Sequence, residues 1–116
     1  MQLPGLEALY DEFKSKGIDE VYCLSVNDSF IMNAWAKDLE IENVKMIPDG
    51  SGEFTRDMDM LVWKSAQNFG YRSWRYAMLL NGMEVEKMWI EEGKNQMGLD
   101  SDPYEVTKPE NILNDI

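Results

Sequence analysis

The hydrophobic pattern near the start of the chain predicts a buried strand that leads into a capped helix. Residues 20–26 form a short, mostly apolar run rich in β-forming side chains, and Asn27 and Asp28 end it. Apolar residues then recur at helical spacing over residues 29–39, and Asp28 offers a side-chain oxygen that can cap this helix. A buried strand that feeds a capped helix is half of a βαβ unit, so the pattern predicts an α/β layer fold. The apolar positions of the predicted helix are Phe30, Ile31, Ala34, Trp35 and Leu39.

Helix and turn signals surround this stretch in the first half of the chain. Residues 2–16 predict a helix with one apolar stripe that includes Leu3 and Phe13, and Gly17 is its natural stop. The other elements predicted here are a strand at residues 44–47, a turn at 48–52, a short helix at 53–60 and a loop at 63–71.

The second half predicts a β-hairpin followed by a last helix. Asn81 and Gly82 tolerate positive φ and therefore indicate the hairpin turn. Thr107 can act as the N-cap of the helix, because Glu110 lies at capping-box distance from it. The predicted ranges are 73–80 and 83–90 for the strands, 91–102 for a polar loop and 107–116 for the helix. This order of elements predicts a mixed sheet with helices on both faces.

The composition narrows the classes of function. With 116 residues and 44% hydrophobic content, the chain predicts one folded domain. The net charge of −11 disfavours nucleic acid and anionic membranes as partners, because an acidic surface repels phosphate groups. No apolar run approaches the roughly 20 residues of a membrane span, and no signal peptide is recognised at Met1. The single Cys excludes an internal disulfide and predicts a reducing, cytoplasmic compartment, while the absence of His excludes His-based triads.

Two residues are candidates for chemistry. Cys23 lies within an apolar strand without an adjacent positive charge or helix N-terminus, which favours a small core residue over a reactive thiol. Arg75 enters an otherwise apolar strand, so it either forms a structural salt bridge or binds an anion or a polar substrate. Strand alternation places Ser73 and Arg75 on one side, with Trp74 and Tyr76 on the other. The acidic residues are scattered without the spacing of a calcium loop, and no phosphate-binding glycine motif is present.

Taken together, several stretches resemble the peroxiredoxin family, in the subgroup that includes the plant type II enzymes and the bacterial glutaredoxin-coupled ones. They occur in the family's order and at its spacing across almost the whole chain. They are LPG at residues 3–5, CLSVNDSF at 23–30, AW at 34–35, PDGSGEFT at 48–55 and FGYRSWRYA at 69–77.

The resemblance implies a thioredoxin-like fold, an antioxidant role through thiol-dependent reduction of hydrogen peroxide and alkyl hydroperoxides, and a homodimer. It implies glutathione with glutaredoxin, or thioredoxin, as the reductant, and neither a cofactor nor a metal. Arg75 matches the Arg that orients the peroxide and stabilises the thiolate. Cys23 matches a position where some members carry an auxiliary or resolving cysteine. Another resolving position falls near Met97 and Gly98, and neither residue is Cys.

The chain departs from the family at the catalytic cysteine. The family's Thr-x-x-Cys motif would fall upstream of Met1, so residues 1–116 are interpreted as a single redoxin domain that is incomplete at its N-terminus and inactive alone. Such a domain lacks the N-terminal strands and the active-site loop, which leaves a gap between the strands at 21–26 and 73–80 and favours self-association.

Two further interpretations stay open. The first is a non-catalytic peroxiredoxin-like protein that binds a partner through its acidic surface and residues 63–74. The second is an unrelated α/β domain that matches the family by chance.

Overall fold

The strands that the structure describes form three separate pairs. The computed structural model describes residues 2–65, 68–94 and 102–116. The helices are α1 Gln2–Ala8, α2 Tyr10–Ser15, α3 Ser29–Asp38, α4 Glu53–Asp57 and α5 Pro109–Asp115. The strands are β1 Tyr22–Ser25, β2 Lys45–Pro48, β3 Leu61–Lys64, β4 Gly70–Ser73, β5 Tyr76–Asn81 and β6 Glu84–Ile90. β1 and β2 are parallel, whereas β3 with β4 and β5 with β6 are antiparallel. The α/β class is confirmed, but the expected mixed sheet is divided into three two-stranded sheets within the described residues.

The helix predicted for residues 2–16 divides at Leu9, which has φ −99° and ψ 10° between α1 and α2. Its apolar stripe is confirmed, because Leu3 and Phe13 are both buried in the larger of two core clusters. Gly17 ends α2 with φ 91°, a conformation that residues with a side chain rarely adopt. The helix therefore ends at the predicted residue because its backbone conformation there requires glycine.

The helix that follows β1 is capped as predicted, but only part of its predicted apolar stripe packs against the core. Asp28 accepts a hydrogen bond at Oδ1 from the Ile31 N–H, at 2.8 Å. Met32 is 2% exposed and Trp35 packs against the larger core cluster, whereas Phe30 is 84% exposed. The expected inward position of Phe30 is wrong, because the buried stripe of α3 begins two residues later.

Replacing Asp28 by alanine should lower the free energy of unfolding by about 1 kcal/mol, because the first turn of α3 loses its side-chain acceptor. Urea unfolding followed by circular dichroism measures this change. Asp28→Asn is the matched control, since asparagine caps about as well as aspartate and should keep most of the stability. If the asparagine variant loses as much stability as the alanine variant, loss of the cap is not the cause of the destabilisation.

Both ends of the loop predicted for residues 63–71 instead belong to strands, β3 and β4. Trp63 and Tyr71 are register partners, and their ring centroids lie 4.9 Å apart at an interplanar angle of 70°. Both rings are exposed, whereas Val62 and Lys64 are buried on the other side. The alternation was hidden in the sequence because the inward position after Val62 carries a charged lysine.

The strand predicted for residues 73–80 is interrupted at Trp74 and Arg75, where the chain leaves β4 and enters β5. Trp74 is 2% exposed, and its indole N–H donates to the carbonyl of Glu91 at 2.8 Å. The ammonium of Lys64 lies 5.2 Å from the centroid of the Trp74 ring. The predicted alternation across this junction is therefore wrong, because no continuous strand passes through it.

The hairpin predicted at residues 81–82 is confirmed. Asn81 pairs with Glu84 to close the turn, and Gly82 has φ 61°. The polar loop predicted for residues 91–102 lies mostly outside the described residues. Across residues 2–65, 68–94 and 102–116, no helix has both the length and the apolar character that crossing a membrane requires.

β1 and β5 face each other across a cleft rather than pairing. The cleft has a volume of about 1030 Å³ and is lined by residues 22–24 of β1 and 76–80 of β5. Buried side chains of the larger core cluster, including Phe13 and Ile112, also line it. The gap expected between these strands is present in the fold.

Candidate functional site

Arg75 lies at the junction of β4 and β5 and contacts a segment distant in sequence. Its Nη1 donates to the carbonyl of Pro103 at 2.8 Å, and its Nη2 donates to Oδ2 of Asp102 at 3.2 Å. The guanidinium carbon lies 5.0 Å from the centroid of the Tyr104 ring. The side chain is 26% exposed, so the guanidinium is positioned by these contacts while part of it stays accessible. The two bonds use two of its five N–H groups.

The segment that contacts Arg75 is anchored by a buried carboxylate. Glu91 is 3% exposed and directly follows β6. Its carboxylate accepts from the Glu105 N–H at 3.0 Å, the Thr107 N–H at 2.9 Å and the Thr107 hydroxyl at 2.6 Å. The N-cap predicted for Thr107 is therefore wrong. The residue before α5 is Lys108, which forms no side-chain cap. The Thr107 hydroxyl cannot cap the helix because it donates its hydrogen bond to Glu91.

The pKa of Glu91 reflects this network. Burial acts to raise it, but the hydrogen bonds from Thr107 and from the Glu105 and Val106 backbone outweigh burial and hold the pKa below its ordinary value. The carboxylate is thus kept charged and fixed in place. In the sequence, Glu91 was only the first residue of a polar stretch, and no local pattern indicated its role.

Arg72 occupies a second anchored position, at the carboxyl ends of the parallel strands. Its Nη1 donates to the Val26 carbonyl at 2.6 Å and to Oδ1 of Asn27 at 3.0 Å, and its Nε donates to the Phe69 carbonyl at 3.0 Å. These bonds tie β4 to the loop between β1 and α3. The role of Arg72 is therefore structural, because its guanidinium is already hydrogen-bonded within the protein.

Cys23 lies in the middle of β1 and packs against the larger core cluster. Burial raises the pKa of its thiol to about 11. The structure shows no hydrogen bond or ion pair between Cys23 and Arg75 among the described residues. Met97 and Gly98, near the second resolving position of the family, lie outside these residues.

No group of three His, Cys, Asp or Glu side chains that could hold a metal ion occurs in the part of the chain that the structure describes. The arrangement around Arg75 consists of one positioned cation, a carbonyl, a carboxylate and an aromatic ring. Such a site can bind an anion or a small polar molecule, and none of these described groups is a nucleophile.

Comparisons with known proteins show which family has this fold. The family model described as Redoxin matches residues 1–105. A peroxiredoxin from Rhizobium etli is 58% identical over 112 residues, which cover 97% of this chain and 62% of that protein. The chain thus spans about three-fifths of the length of this relative.

Solved structures agree with the sequence match. A structure titled as an X-ray structure of a peroxiredoxin has a TM-score of 0.93 at 35% identity, over 97% of this chain and 66% of that one. A second, titled as reduced Prx3 from Vibrio vulnificus in complex with H2O2, has a TM-score of 0.85 at 34% identity, over 98% of this chain and 68% of that one. These similarities confirm the thioredoxin-like peroxiredoxin fold and the resemblance seen in the sequence. The chain belongs to the peroxiredoxin family.

Proposed function

We propose that this chain is part of a protein that reduces hydrogen peroxide and alkyl hydroperoxides with electrons from a thiol. The main support is the match to peroxiredoxins over 97% of the chain, and a structural neighbour is described as a complex with H2O2. The proposal treats residues 1–116 as one redoxin domain, in a cytoplasmic homodimer. Glutathione with glutaredoxin, or thioredoxin, would supply the reducing thiol.

The role proposed for Arg75 follows from the chemistry of the reaction. A thiolate attacks the O–O bond of the peroxide, which yields a sulfenic acid and releases water or an alcohol, and a second thiol then reduces the sulfenic acid. A guanidinium beside the thiolate lowers the pKa of the thiol and donates hydrogen bonds to the peroxide oxygens. The contacts of Arg75 with Asp102, Pro103 and Tyr104 support this proposed role, because they restrict its side chain while leaving it partly exposed.

The chain on its own is proposed to be inactive as a peroxidase, because the thiol of Cys23 is poorly ionised. It is the sole cysteine, and a pKa of about 11 leaves roughly one thiol in 10⁴ ionised at pH 7. The thiolate is the form that attacks peroxide, so Cys23 lacks the activation that the reaction needs.

Peroxide consumption by the isolated chain should therefore not exceed that of its Cys23→Ser variant. The assay follows loss of H2O2 with dithiothreitol as the thiol donor, and the Rhizobium etli peroxiredoxin serves as the positive control. A rate clearly above that of the serine variant would contradict the proposal and would make Cys23 the nucleophile.

A non-catalytic, partner-binding role is the alternative, and one observation favours it. Phe69 and Tyr71 are more than half exposed on the β3–β4 hairpin, and Trp63 packs edge-on against Tyr71. Trp74, expected to belong to this surface, is buried and does not. A chimera that adds the N-terminal segment of a longer relative separates the two functions: peroxidase activity supports the first, and inactivity of a folded chimera supports the second.

A further inference from the structure

The tip of the β5–β6 hairpin carries a methionine whose side chain is fully open to solvent. Met83 is 100% exposed, whereas Met32 and Met60 are buried. Met88 follows at 38% exposure. The other methionines that the structure describes are partly buried, and they are Met46, Met58 and Met78. Within the described residues, Met83 is therefore the methionine that a dissolved molecule reaches most easily.

The backbone of the turn explains this exposure. Asn81 pairs with Glu84. Gly82 and Met83 are therefore the two central residues of the turn. Gly82 takes positive φ at the first central position and Met83 does not, which is the arrangement of a type II′ turn. A Cβ added to Gly82 would have no described atom within 4 Å beyond its chain neighbours. Residues 80–88 are all exposed as well, so the tip projects from the body of the protein.

The thioether of an exposed methionine can be oxidised by hydrogen peroxide. A lone pair of the sulfur attacks one oxygen of H2O2, so an S–O bond forms as the O–O bond breaks. The sulfur loses two electrons, and the second oxygen leaves as water after it takes up the proton of the first. The product is methionine sulfoxide, which thiol-dependent reductases convert back to methionine. In that step two thiols become a disulfide, and the sulfoxide oxygen leaves as water.

A sulfoxide at the tip leaves the contacts of the fold unchanged. Oxidation makes the side chain polar, which is unfavourable where a methionine packs in a core. Because Met83 is fully exposed, its sulfoxide oxygen stays hydrated. The pairing of Asn81 with Glu84 is between backbone groups and does not involve the sulfur. Oxidation of Met32, in contrast, would place a polar oxygen in a buried site.

We propose that Met83 is a site of reversible oxidation by hydrogen peroxide, and that the protein keeps its fold when this residue is oxidised. The oxidised residue is a substrate for thiol-dependent methionine sulfoxide reduction, because the active site of a reductase has to reach the sulfur and the open tip permits this. The inference rests on exposure and sulfur chemistry and does not depend on peroxidase activity of the chain.

The experiment treats the whole chain with excess H2O2 and follows oxygen gain at each methionine by mass spectrometry of fragmented digest peptides. N-acetylmethionine amide in the same solution is the reference for a fully hydrated thioether. Met83 should react within about twofold of the reference rate, and faster than Met88. Met32 and Met60 should react at least about tenfold more slowly than Met83, because the oxidant reaches them only when the structure opens.

Two glutamine variants test whether the fold tolerates the change. Glutamine imitates the polarity of methionine sulfoxide at a similar length of side chain. Met83→Gln should change the midpoint of thermal unfolding by less than about 2 °C, the range of an exposed substitution. Met32→Gln is the matched control and should lower the midpoint by about 5 °C or more, because it places an amide in a buried site.

Recovery of the methionine tests reversibility. The oxidised chain is incubated with dithiothreitol and the two methionine sulfoxide reductases, one for each epimer of the sulfoxide. Met83 should return to the thioether at a rate within about tenfold of that of the oxidised reference compound, because no part of the fold has to open first. Dithiothreitol without the reductases is the control.

Three results would overturn the proposal. The first is oxidation of Met83 no faster than that of Met32 and Met60 in the unchanged protein, a comparison that does not require any variant to fold. The second is an equal fall of the unfolding midpoint in the two glutamine variants. The third is a sulfoxide at Met83 that persists with both reductases while the reference compound is reduced.

Discussion

Replacing Arg75 by alanine in an active chimera should lower the rate constant for peroxide reduction about 10²-fold or more. The chimera places the N-terminal segment of a longer peroxiredoxin, with the family's Thr-x-x-Cys motif, before this chain. The expected loss is that of one preorganised donor that stabilises charge in the transition state. Stopped-flow measurement of the reaction between the reduced chimera and H2O2 gives this rate constant directly.

Arg72→Ala is the matched control for this experiment. The guanidinium of Arg72 is engaged by the carbonyls of Val26 and Phe69 and by the side chain of Asn27. Its loss should therefore lower the midpoint of thermal unfolding more than the rate constant. Equal rate effects from both arginines would show that the proposed role of Arg75 is wrong.

Replacing Glu91 by alanine should lower the free energy of unfolding by about 2–4 kcal/mol. The change leaves the N–H groups of Glu105 and Thr107 and the Thr107 hydroxyl without their acceptor in a buried site. Denaturant unfolding of the wild type and the variant measures the difference. Glu92→Ala is the neighbouring control, because Glu92 is exposed and its loss should change stability by less than about 0.5 kcal/mol.

The same carboxylate makes stability depend on pH in a defined direction. Since the pKa of Glu91 is held below its ordinary value of 4.5, its contribution to stability is complete above that pH. The contribution is lost as the pH falls through the lowered pKa of the folded state. The alanine variant should therefore lose less stability than the wild type between pH 5 and the acid limit. If both proteins lose stability equally as the pH falls, other carboxylates are responsible for the acid sensitivity.

Local signals in the sequence located most elements of the fold. Asp28 predicted the start of α3 and Gly17 the end of α2, because capping and left-handed backbone depend on one or two residues. The β3–β4 hairpin could not be recognised, since Lys64 occupies a buried position and removes the expected alternation. The interruption at Trp74 was equally hidden, because it depends on pairing with residues far along the chain.

The candidate site was only half accessible to sequence analysis. Arg75 was a candidate from its position in an apolar stretch, and the family resemblance gave it an expected role. The apolar neighbours of Cys23 already favoured an unreactive thiol. The contacts that position Arg75 come from residues 102–104, which Glu91 anchors through Thr107. Contacts across such separations have no periodic signature, so only the folded chain shows them.

The environments of the tryptophans give this protein two optical probes. Trp74 has a buried indole that donates to a carbonyl, whereas Trp63 is 43% exposed on the β3–β4 hairpin. An indole in apolar surroundings emits at shorter wavelength than one in water. The blue side of the fluorescence spectrum should therefore report on the packing of Trp74 together with that of Trp89, which is also buried. The emission on the red side, which a collisional quencher should suppress first, should report on molecules that bind to the β3–β4 hairpin.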